Sequence, residues 1–249
     1  MDAFRYGWLH IILTGSVASA LVFPALTLFN LSLSPSVLFS AGVFIVTVLV
    51  MDILLTSSRI QNDFQQGRFS ASARGSRFLL GFTLKKSKKA ALNLNMAACF
   101  LAMGDYETGG SYLRETDQNH LGEDLKASWE NNYAYFLMGI NGNPEEALNI
   151  CDQAVATGFR NPLFHRTRGI ALSKLGRLDD AIAEFCRSME VGRPGPADLA
   201  ETYYHLGLVW NRKGEKAYAR DHFLKAVNVS PESRYGRKSA EILNQSLQL

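Results

Sequence analysis

The residue types that most often carry catalysis or hold metals are few in this chain and lie far apart. Five histidines are spread over separate stretches: His10, His120, His165, His205 and His222. None of them stands in an HExxH pattern, and the chain has no GxSxG motif and no paired CxxC. Gly109-Gly110 lacks the Lys-Ser/Thr that a phosphate loop requires. The sequence therefore predicts no enzyme, no metal site and no cofactor.

The three cysteines, Cys99, Cys151 and Cys186, lie at no metal-ligand spacing. Each one occupies an apolar position of a predicted helix. We predict that all three are small buried hydrophobic residues in a reducing compartment.

The stretch from Ala200 to Ser233 has the spacing of a helix–turn–helix unit. The first half offers aromatic, small and bulky positions, a glycine marks the turn, and the second half has a small–large–small apolar face. These positions are Tyr203, Leu206, Gly207, Trp210, Gly214, Ala219, Phe223, Ala226 and the terminating Pro231. Small residues let the two helices approach, and the large ones fill the space beside them. The stretch resembles a single tetratricopeptide repeat (TPR).

Three similar units precede it. In the third, Gly169, Ala181 and Phe185 stand where the fourth has Gly207, Ala219 and Phe223, whereas the first has Gly109 where alanine is usual. The four predicted repeats cover residues 90–123, 127–161, 162–195 and 200–233. One unit cannot bury its own apolar face, so we predict an α-solenoid. Residues 234–249 are predicted to cap it, with Ala240, Leu243 and Leu247 facing inward.

The resemblance implies a right-handed superhelix whose first helices line a concave groove for an extended peptide or a partner's helix. The polar residues carried over to this groove are Asn95, Asn131, Asn132, Tyr135, Arg166, Thr167, Lys174, Tyr204, His205 and Arg212. Amides can bind the backbone of an extended ligand, and arginine favours carboxylates. We therefore expect a protein or peptide partner, with an acidic segment or C-terminus as the first ligand to test. The carboxylate clamp of some TPR proteins is not reproduced in order.

Charge is unevenly distributed along the chain. The formal net charge is only +3, but residues 57–90 hold eight Lys/Arg against one acid. Residues 91–249 carry 17 Lys/Arg against 20 acids. The basic excess is therefore local, and the composition does not favour a nucleic-acid partner.

Two nearly uncharged runs open the chain. Gly7–Phe29 is a run of 23 residues without a charge, long enough for a helix to cross about 30 Å of hydrocarbon. Pro35–Leu55 follows a five-residue link, and its single charge, Asp52, lies about one turn from the end. We predict two transmembrane helices that form a tight hairpin within residues 1–56. A cleaved signal peptide is the alternative for the first run, but that run is too long and its leading residues are not net positive.

Loop charge predicts the orientation of this hairpin. The link has no Lys or Arg, whereas a basic cluster follows the second run. Its members are Arg59, Arg68, Arg74, Arg77, Lys85, Lys86, Lys88 and Lys89. The positive-inside rule then places both termini and the repeat domain in the cytosol.

The basic juxtamembrane segment, residues 57–89, permits two interpretations. Gln66-Gly67-Arg68-Phe69 resembles the turn of a degenerate half-repeat, whose second helix would span about Phe69–Gly81. Alternatively, Phe78, Leu79 and Phe82 dip into the inner leaflet while the cations contact anionic lipid. These two arrangements can coexist.

Together these features predict an all-α protein: two transmembrane helices, then a TPR-type solenoid of four to five repeats and a capping helix. The expected function is a membrane-anchored adaptor that presents a groove to a partner. The rival is a structural subunit of a larger membrane assembly, in which small residues of the first run admit another helix. Those residues are Gly15, Ser16, Ala18, Ser19 and Ala20.

Overall fold

The structure, a computed structural model, describes residues 55–140, 142–156, 161–192 and 194–246. The predicted membrane hairpin lies outside these residues, except for its last two positions, which are helical. Within the described ranges, none of the helices combines the length and the apolar character that a membrane crossing needs.

The described part of the chain consists of eleven α-helices without a β-strand, so the prediction of an all-α solenoid is confirmed. The helices are α1 (55–65), α2 (Phe69–Phe82), α3 (Lys86–Met103), α4 (Tyr106–Glu115), α5 (Glu123–Ile140), α6 (Pro144–Ala156), α7 (Pro162–Lys174), α8 (Leu178–Glu190), α9 (Pro196–Arg212), α10 (Lys216–Val229) and α11 (Arg234–Ser246). A short 3₁₀ turn, Gln118–His120, joins α4 to α5.

The helices pack in chain order, each against the next, and α3, α5, α7 and α9 also contact one another in sequence. The buried core that runs through the stack is rich in small residues such as Ala97, Ala134, Cys151, Ala171 and Ala181. α11 packs on both α9 and α10 and covers the end of the stack, as a terminal cap must.

Five helix pairs share one turn geometry. A glycine with positive φ follows the first helix of each pair: Gly67, Gly104, Gly142, Gly176 and Gly214. At four of them the same two backbone bonds end the helix, for example Gly214 N to Asn211 O and Glu215 N to Trp210 O, both 3.0 Å. This is a Schellman motif, which favours glycine in the left-handed region. The α1–α2 turn belongs to the series, so residues 55–82 form a helix pair of the same kind.

Glycine also allows the two helices of a repeat to approach. A Cβ atom at Gly207 would lie 2.6 Å from Phe223 Cε1, and one at Gly169 would lie 2.8 Å from Phe185 Cε1. Each phenylalanine ring is buried and covers the glycine of the preceding helix. The two Gly–Phe pairs, which match in the sequence, therefore also pack in the same way.

Two details differ from the sequence predictions. Cys186 is exposed, although Cys99 and Cys151 are buried as predicted. Its position on α8 faces away from the neighbouring helices that cover the adjacent Phe185. On α11 the buried residues are Tyr235, Gly236 and Ser239, because the first turn of α11 enters the concave face. Of the residues predicted to face inward, Ala240 and Leu243 are half-buried, and Leu247 lies outside the described residues.

We predict that Gly207→Ala destabilises the protein even though alanine favours a helix. Overpacking against Phe223 costs about 1–3 kcal/mol, which exceeds the gain of up to about 1 kcal/mol in helix propensity. Urea unfolding followed by circular dichroism measures the difference. Gly81→Ala is the matched control, because no atom lies within 4 Å of that Cβ position; it should not lower stability. A Gly207→Ala variant as stable as the wild type would contradict the packing described above.

Candidate partner-binding groove

Buried polar contacts hold the concave face together. The Tyr135 hydroxyl on α5 donates to Glu201 Oε1 on α9 at 2.7 Å, and it accepts from the Tyr235 hydroxyl on α11 at 2.6 Å. Burial and the nearby Glu201 carboxylate raise the pKa of both tyrosines. The two hydroxyls therefore remain protonated and join three helices that are distant in sequence.

An arginine makes the second connection across the face. Arg166 on α7 is only 8% exposed and donates from Nη1 to Asp198 Oδ1 at 2.6 Å. Its Nη2 lies 3.4 Å from Glu201 Oε2. Burial alone would lower the pKa of Arg166, but the carboxylates of Glu201 and Asp198 raise it above its usual value. The guanidinium thus remains charged and ties α7 to α9.

A third polar cluster lies between α6, α7 and α8. The buried Glu184 carboxylate contacts His165 Nδ1 at 2.8 Å, Arg168 Nη1 at 2.8 Å and Arg187 Nη1 at 2.6 Å. Arg168 also binds Asp152 of α6 at 2.6 Å. His165 and Arg168 occupy positions where a TPR usually has apolar residues. Both polar side chains can be accommodated there because the Glu184 carboxylate binds them.

Two cavities open on the concave face. The small cavity has a volume of about 80 Å³ and the large cavity one of about 450 Å³. Tyr135, Arg234 and Tyr235 line both of them. The hydroxyl contact between the two tyrosines therefore stands in the wall between the cavities.

The small cavity is bounded by contact between the α1–α2 turn and the start of α9. A Cβ atom at Gly67, in the α1–α2 turn, would lie 3.1 Å from Ala197 Cβ on α9. A Cβ atom at Gly195 would lie 3.1 Å from the Gln65 carbonyl oxygen. The groove is consequently closed on this side.

The large cavity is cationic and aromatic. Its charged lining residues are all basic: Lys174, Arg212, Arg234 and Lys238. Arg234 lies over the rings of Tyr106 and Tyr235 at 5.7 and 5.2 Å from their centroids. Lys238 Nζ lies 5.9 and 5.7 Å from the ring centroids of Tyr204 and Tyr235. These ring contacts stabilise the cations of Arg234 and Lys238 at the cavity, although its lining contains no carboxylate.

The predicted groove residues are distributed between the two cavities and the protein interior. Lys174, Tyr204, His205 and Arg212 line the large cavity, together with Tyr135. Asn131, Asn132 and Arg166 line the small cavity, again with Tyr135.

Further predicted side chains bind within the protein, outside the large cavity. Thr167 is buried and donates to Asn131 Oδ1 at 2.9 Å. Asn95 donates to Ser72 and Ser76 of α2, at 3.1 and 2.8 Å. These contacts stabilise the neighbouring helices and leave the large cavity to other side chains.

The contribution of α11 to the large cavity was not predicted from the sequence. Arg234, Tyr235 and Lys238 enter the large cavity, where they meet Tyr106 of α4. The segment Arg234–Lys238 reads RYGRK, a concentration of charge at the start of a predicted cap. That concentration is the signal that could have identified it.

The basic cluster lies away from both cavities. Arg68 is paired with Asp63 at 2.7 Å, and Arg59 is exposed on α1. The other six members are exposed on α2, on α3 or in the link between them.

His205 lines the large cavity as a neutral imidazole. Burial, followed by the charges of Arg166 and Lys238, lowers its pKa to about 3. Glu201 Oε1 lies 3.8 Å from Nε2, beyond hydrogen-bond range, and Tyr135 already donates to the same oxygen. The desolvation of His205 therefore outweighs this carboxylate. Nε2 has no hydrogen-bond partner among the described residues.

A solved structure of a TPR protein shares this fold. A thermophilic TPR protein of Thermus thermophilus superposes with a TM-score of 0.57, over 77% of this chain and 98% of that one, at 15% identity. YrrB, a TPR protein with an unusual peptide-binding site, gives a TM-score of 0.40 over 73% of this chain and 88% of its own, at 14% identity.

A sequence relative agrees with this class. The TPR repeat-containing thioredoxin TTL4 of Arabidopsis thaliana is 31% identical over 115 residues, which are 46% of this chain. The match spans 16% of the plant protein's length. No model of a known protein family matches the chain. The described part of the chain thus has the fold of a TPR-type solenoid, and the sequence is similar over part of its length to a TPR-containing protein.

We predict that His205 makes stability depend on pH. Its folded pKa of about 3 lies below its unfolded value of about 6.5, so the unfolded chain binds more protons between these values. Stability should therefore fall with decreasing pH, by about 1.4 kcal/mol per unit below pH 6.5. Urea unfolding at about pH 7 and about pH 5 should show a loss roughly 2 kcal/mol larger in the wild type than in His205→Gln.

The matched control is His222→Gln on α10, which changes a histidine outside the large cavity. It should retain the wild-type pH dependence. A His205→Gln variant with an unchanged dependence would show that His205 is not desolvated as described.

Proposed function

We propose that this protein is a membrane-anchored TPR adaptor whose large cavity binds an acidic segment or the C-terminus of a partner protein. The observation that carries the proposal is the cavity lining, which has four cations and several aromatic rings but no carboxylate. TPR repeat proteins are typically non-enzymatic scaffolds. Among the described residues, no cluster of His, Cys, Asp and Glu could hold a metal ion.

Electrostatics favours an anionic ligand. Charges of one sign in a concave, partly dry site focus the field and raise the local concentration of the opposite charge. The guanidinium groups of Arg212 and Arg234 suit the planar geometry of a carboxylate. Tyr106, Tyr204 and Tyr235 supply large apolar surfaces with little side-chain entropy to lose.

The shape of the cavity favours the end of a chain over a segment that passes through. Tyr135, Arg234 and Tyr235 form a wall at one side of the large cavity, and the space behind it is only about 80 Å³. A ligand that enters the large cavity stops at this wall. A free C-terminus adds one carboxylate at its last residue, which matches such a closed end.

The polar connections make the site rigid before the ligand arrives. Tyr135 is held by Glu201 and Tyr235, and α7 is held to α9 by Arg166. A preorganised site loses less conformational entropy on binding and therefore binds more tightly.

The membrane anchor is inferred from the sequence of residues 1–56. Two nearly uncharged runs of spanning length and the basic residues that follow them support a hairpin with both termini and the repeat domain in the cytosol. Tethering raises the effective concentration of the cavity for partners at the same membrane. The structural-subunit alternative draws on the small residues of the first run, such as Gly15 and Ser19.

We predict that the full chain in detergent binds a fluorescent peptide that ends in Asp-Glu-Asp-Leu with a free carboxylate. Lys238→Glu should weaken binding by about tenfold or more, because reversing a charge at a half-buried position of the site costs at least about 1.4 kcal/mol. Lys174→Glu, at an exposed position of the cavity rim, should weaken binding by a smaller factor. Fluorescence anisotropy measures the affinity.

The matched control is Lys216→Glu, which makes the same charge change at an exposed site on α10 and should leave the affinity unchanged. The amidated peptide should bind more weakly than the free acid, and a lysine-rich peptide should not bind. Equal affinity for the acidic and lysine-rich peptides would refute the proposed cavity specificity. If bulky residues at Gly15 and Ser19 abolish capture of a natural partner while the Lys174 and Lys238 variants retain it, the structural-subunit alternative holds.

A separate prediction concerns the anchor. Alkaline carbonate should not extract the full chain from membranes, because a transmembrane hairpin remains in the bilayer when peripheral proteins are released. Protease added to the cytosolic face of sealed vesicles should digest the repeat domain. Release by carbonate would contradict the anchor, and protection from that protease would contradict the orientation.

A further inference from the structure

A basic and apolar patch lies at the junction of α2 and α3, apart from both cavities. Its apolar members are Phe82 and Leu84, and its basic members are Arg74, Arg77, Lys85, Lys86, Lys88 and Lys89. All eight residues are exposed. We propose that this patch docks on the surface of an anionic lipid bilayer and so orients the repeat domain on the membrane. This proposal rests on the membrane anchor proposed above.

The charge of the patch is uncompensated. No Asp or Glu occurs in the sequence between Asp63 and Asp105. In the part of the chain that the structure describes, none of the six basic residues forms an ion pair, whereas Arg68 binds Asp63. Cations near an anionic leaflet each strengthen binding about fivefold, so six of them provide a strong and salt-dependent attraction.

The apolar side chains of the patch are exposed, whereas a folded domain normally buries side chains of this kind. Leu84 is 92% exposed and Phe82 is 50% exposed. Thr83 and Lys85 on either side of Leu84 have extended backbone conformations, so Leu84 lies at the tip of a short non-helical link. The Phe82 ring lies 5.1 Å from the Phe78 ring. Leucine and phenylalanine surrounded by lysine and arginine are typical of segments that lie in a membrane interface.

The patch lies near residue 55, where the described part of the chain begins. The Ser72 hydroxyl donates to the Ile60 carbonyl at 2.9 Å, and a Cβ atom at Gly75 would lie 3.7 Å from Thr56 Cγ2. α2 therefore runs back along α1 toward residue 55. Its last seven residues extend about 10 Å beyond the Gly75 contact. The patch thus lies at the same end of the α1–α2 pair as residue 55, the last residue of the second nearly uncharged run.

A bilayer fits these features better than a nucleic acid or an acidic protein surface. The phosphates of a nucleic acid would satisfy the cations, but they offer no apolar phase for Leu84 at the tip. A bilayer offers anionic headgroups and acyl chains side by side, at distances that lysine side chains and a projecting leucine can reach together.

The test uses the full chain reconstituted in vesicles of phosphatidylcholine, alone or mixed with phosphatidylserine. Leu84→Cys is combined with Cys186→Ser and labelled with a polarity-sensitive fluorophore, since the other two cysteines are buried. Tyr218→Cys, on α10 and 57% exposed in the wild type, carries the same label as the control. We expect a blue-shifted emission at position 84 that grows with phosphatidylserine and falls with salt, and no such change at position 218.

Charge variants test whether the lysines of the patch cause the docking. Changing Lys85, Lys86, Lys88 and Lys89 to Gln should lower the ratio of docked to undocked protein several hundredfold, at about fivefold for each cation. The matched control changes Lys126, Lys213, Lys216 and Lys225 to Gln, with the same loss of charge, and should leave the blue shift intact.

Three outcomes would overturn the docking proposal: a label at position 84 that reports water in both lipid mixtures, an equal shift at position 218, or a shift produced by RNA in the absence of lipid. None of these outcomes would change carbonate extraction or peptide affinity. Failure of the patch is therefore distinguishable from failure of the anchor and from failure of the cavity.

Discussion

Each helix pair of this solenoid depends on its neighbours to bury its apolar face, and that burial depends on small residues where helices cross. At Gly169 and Gly207 the space that a side chain would need is filled by the rings of Phe185 and Phe223. A larger residue would separate the helices and loosen the contacts on both sides, because interiors pack at nearly crystalline density. The recurrent glycine turn then sets the direction of each second helix.

Stacking alone leaves a concave face of exposed polar groups, and this protein fills part of that face with its own side chains. Glu201 accepts from Tyr135 and pairs with Arg166, and Tyr235 of the last helix completes the connection. A partly satisfied buried network is costly, so nearly complete satisfaction is what permits it. The large cavity remains basic, because the carboxylates of Asp198 and Glu201 bind Arg166 and Tyr135 on the other side of the wall.

The repeats were predictable because their signal is local. Gly207, Ala219 and Phe223 recur as Gly169, Ala181 and Phe185 at a fixed spacing, and a recurrence of this kind is typical of stacked helix pairs. The groove was predictable only in part. Lys174, Tyr204, His205 and Arg212 do line the large cavity, but Asn95 and Thr167 bind within the fold. Repeat position indicates which face a residue occupies, whereas its hydrogen-bond partner lies dozens of residues away.

The sequence by itself determined the class of fold, the unequal distribution of charge and the two nearly uncharged runs, since each follows from composition and short-range spacing. The tertiary structure decided which polar residues are accessible. It brought Tyr235 and Arg234 beside Tyr106 and Tyr135, and it placed Leu84 at an exposed tip near the start of α1. Contacts of this kind depend on how the small offsets between successive helix pairs accumulate, and that accumulated geometry appears in no local pattern.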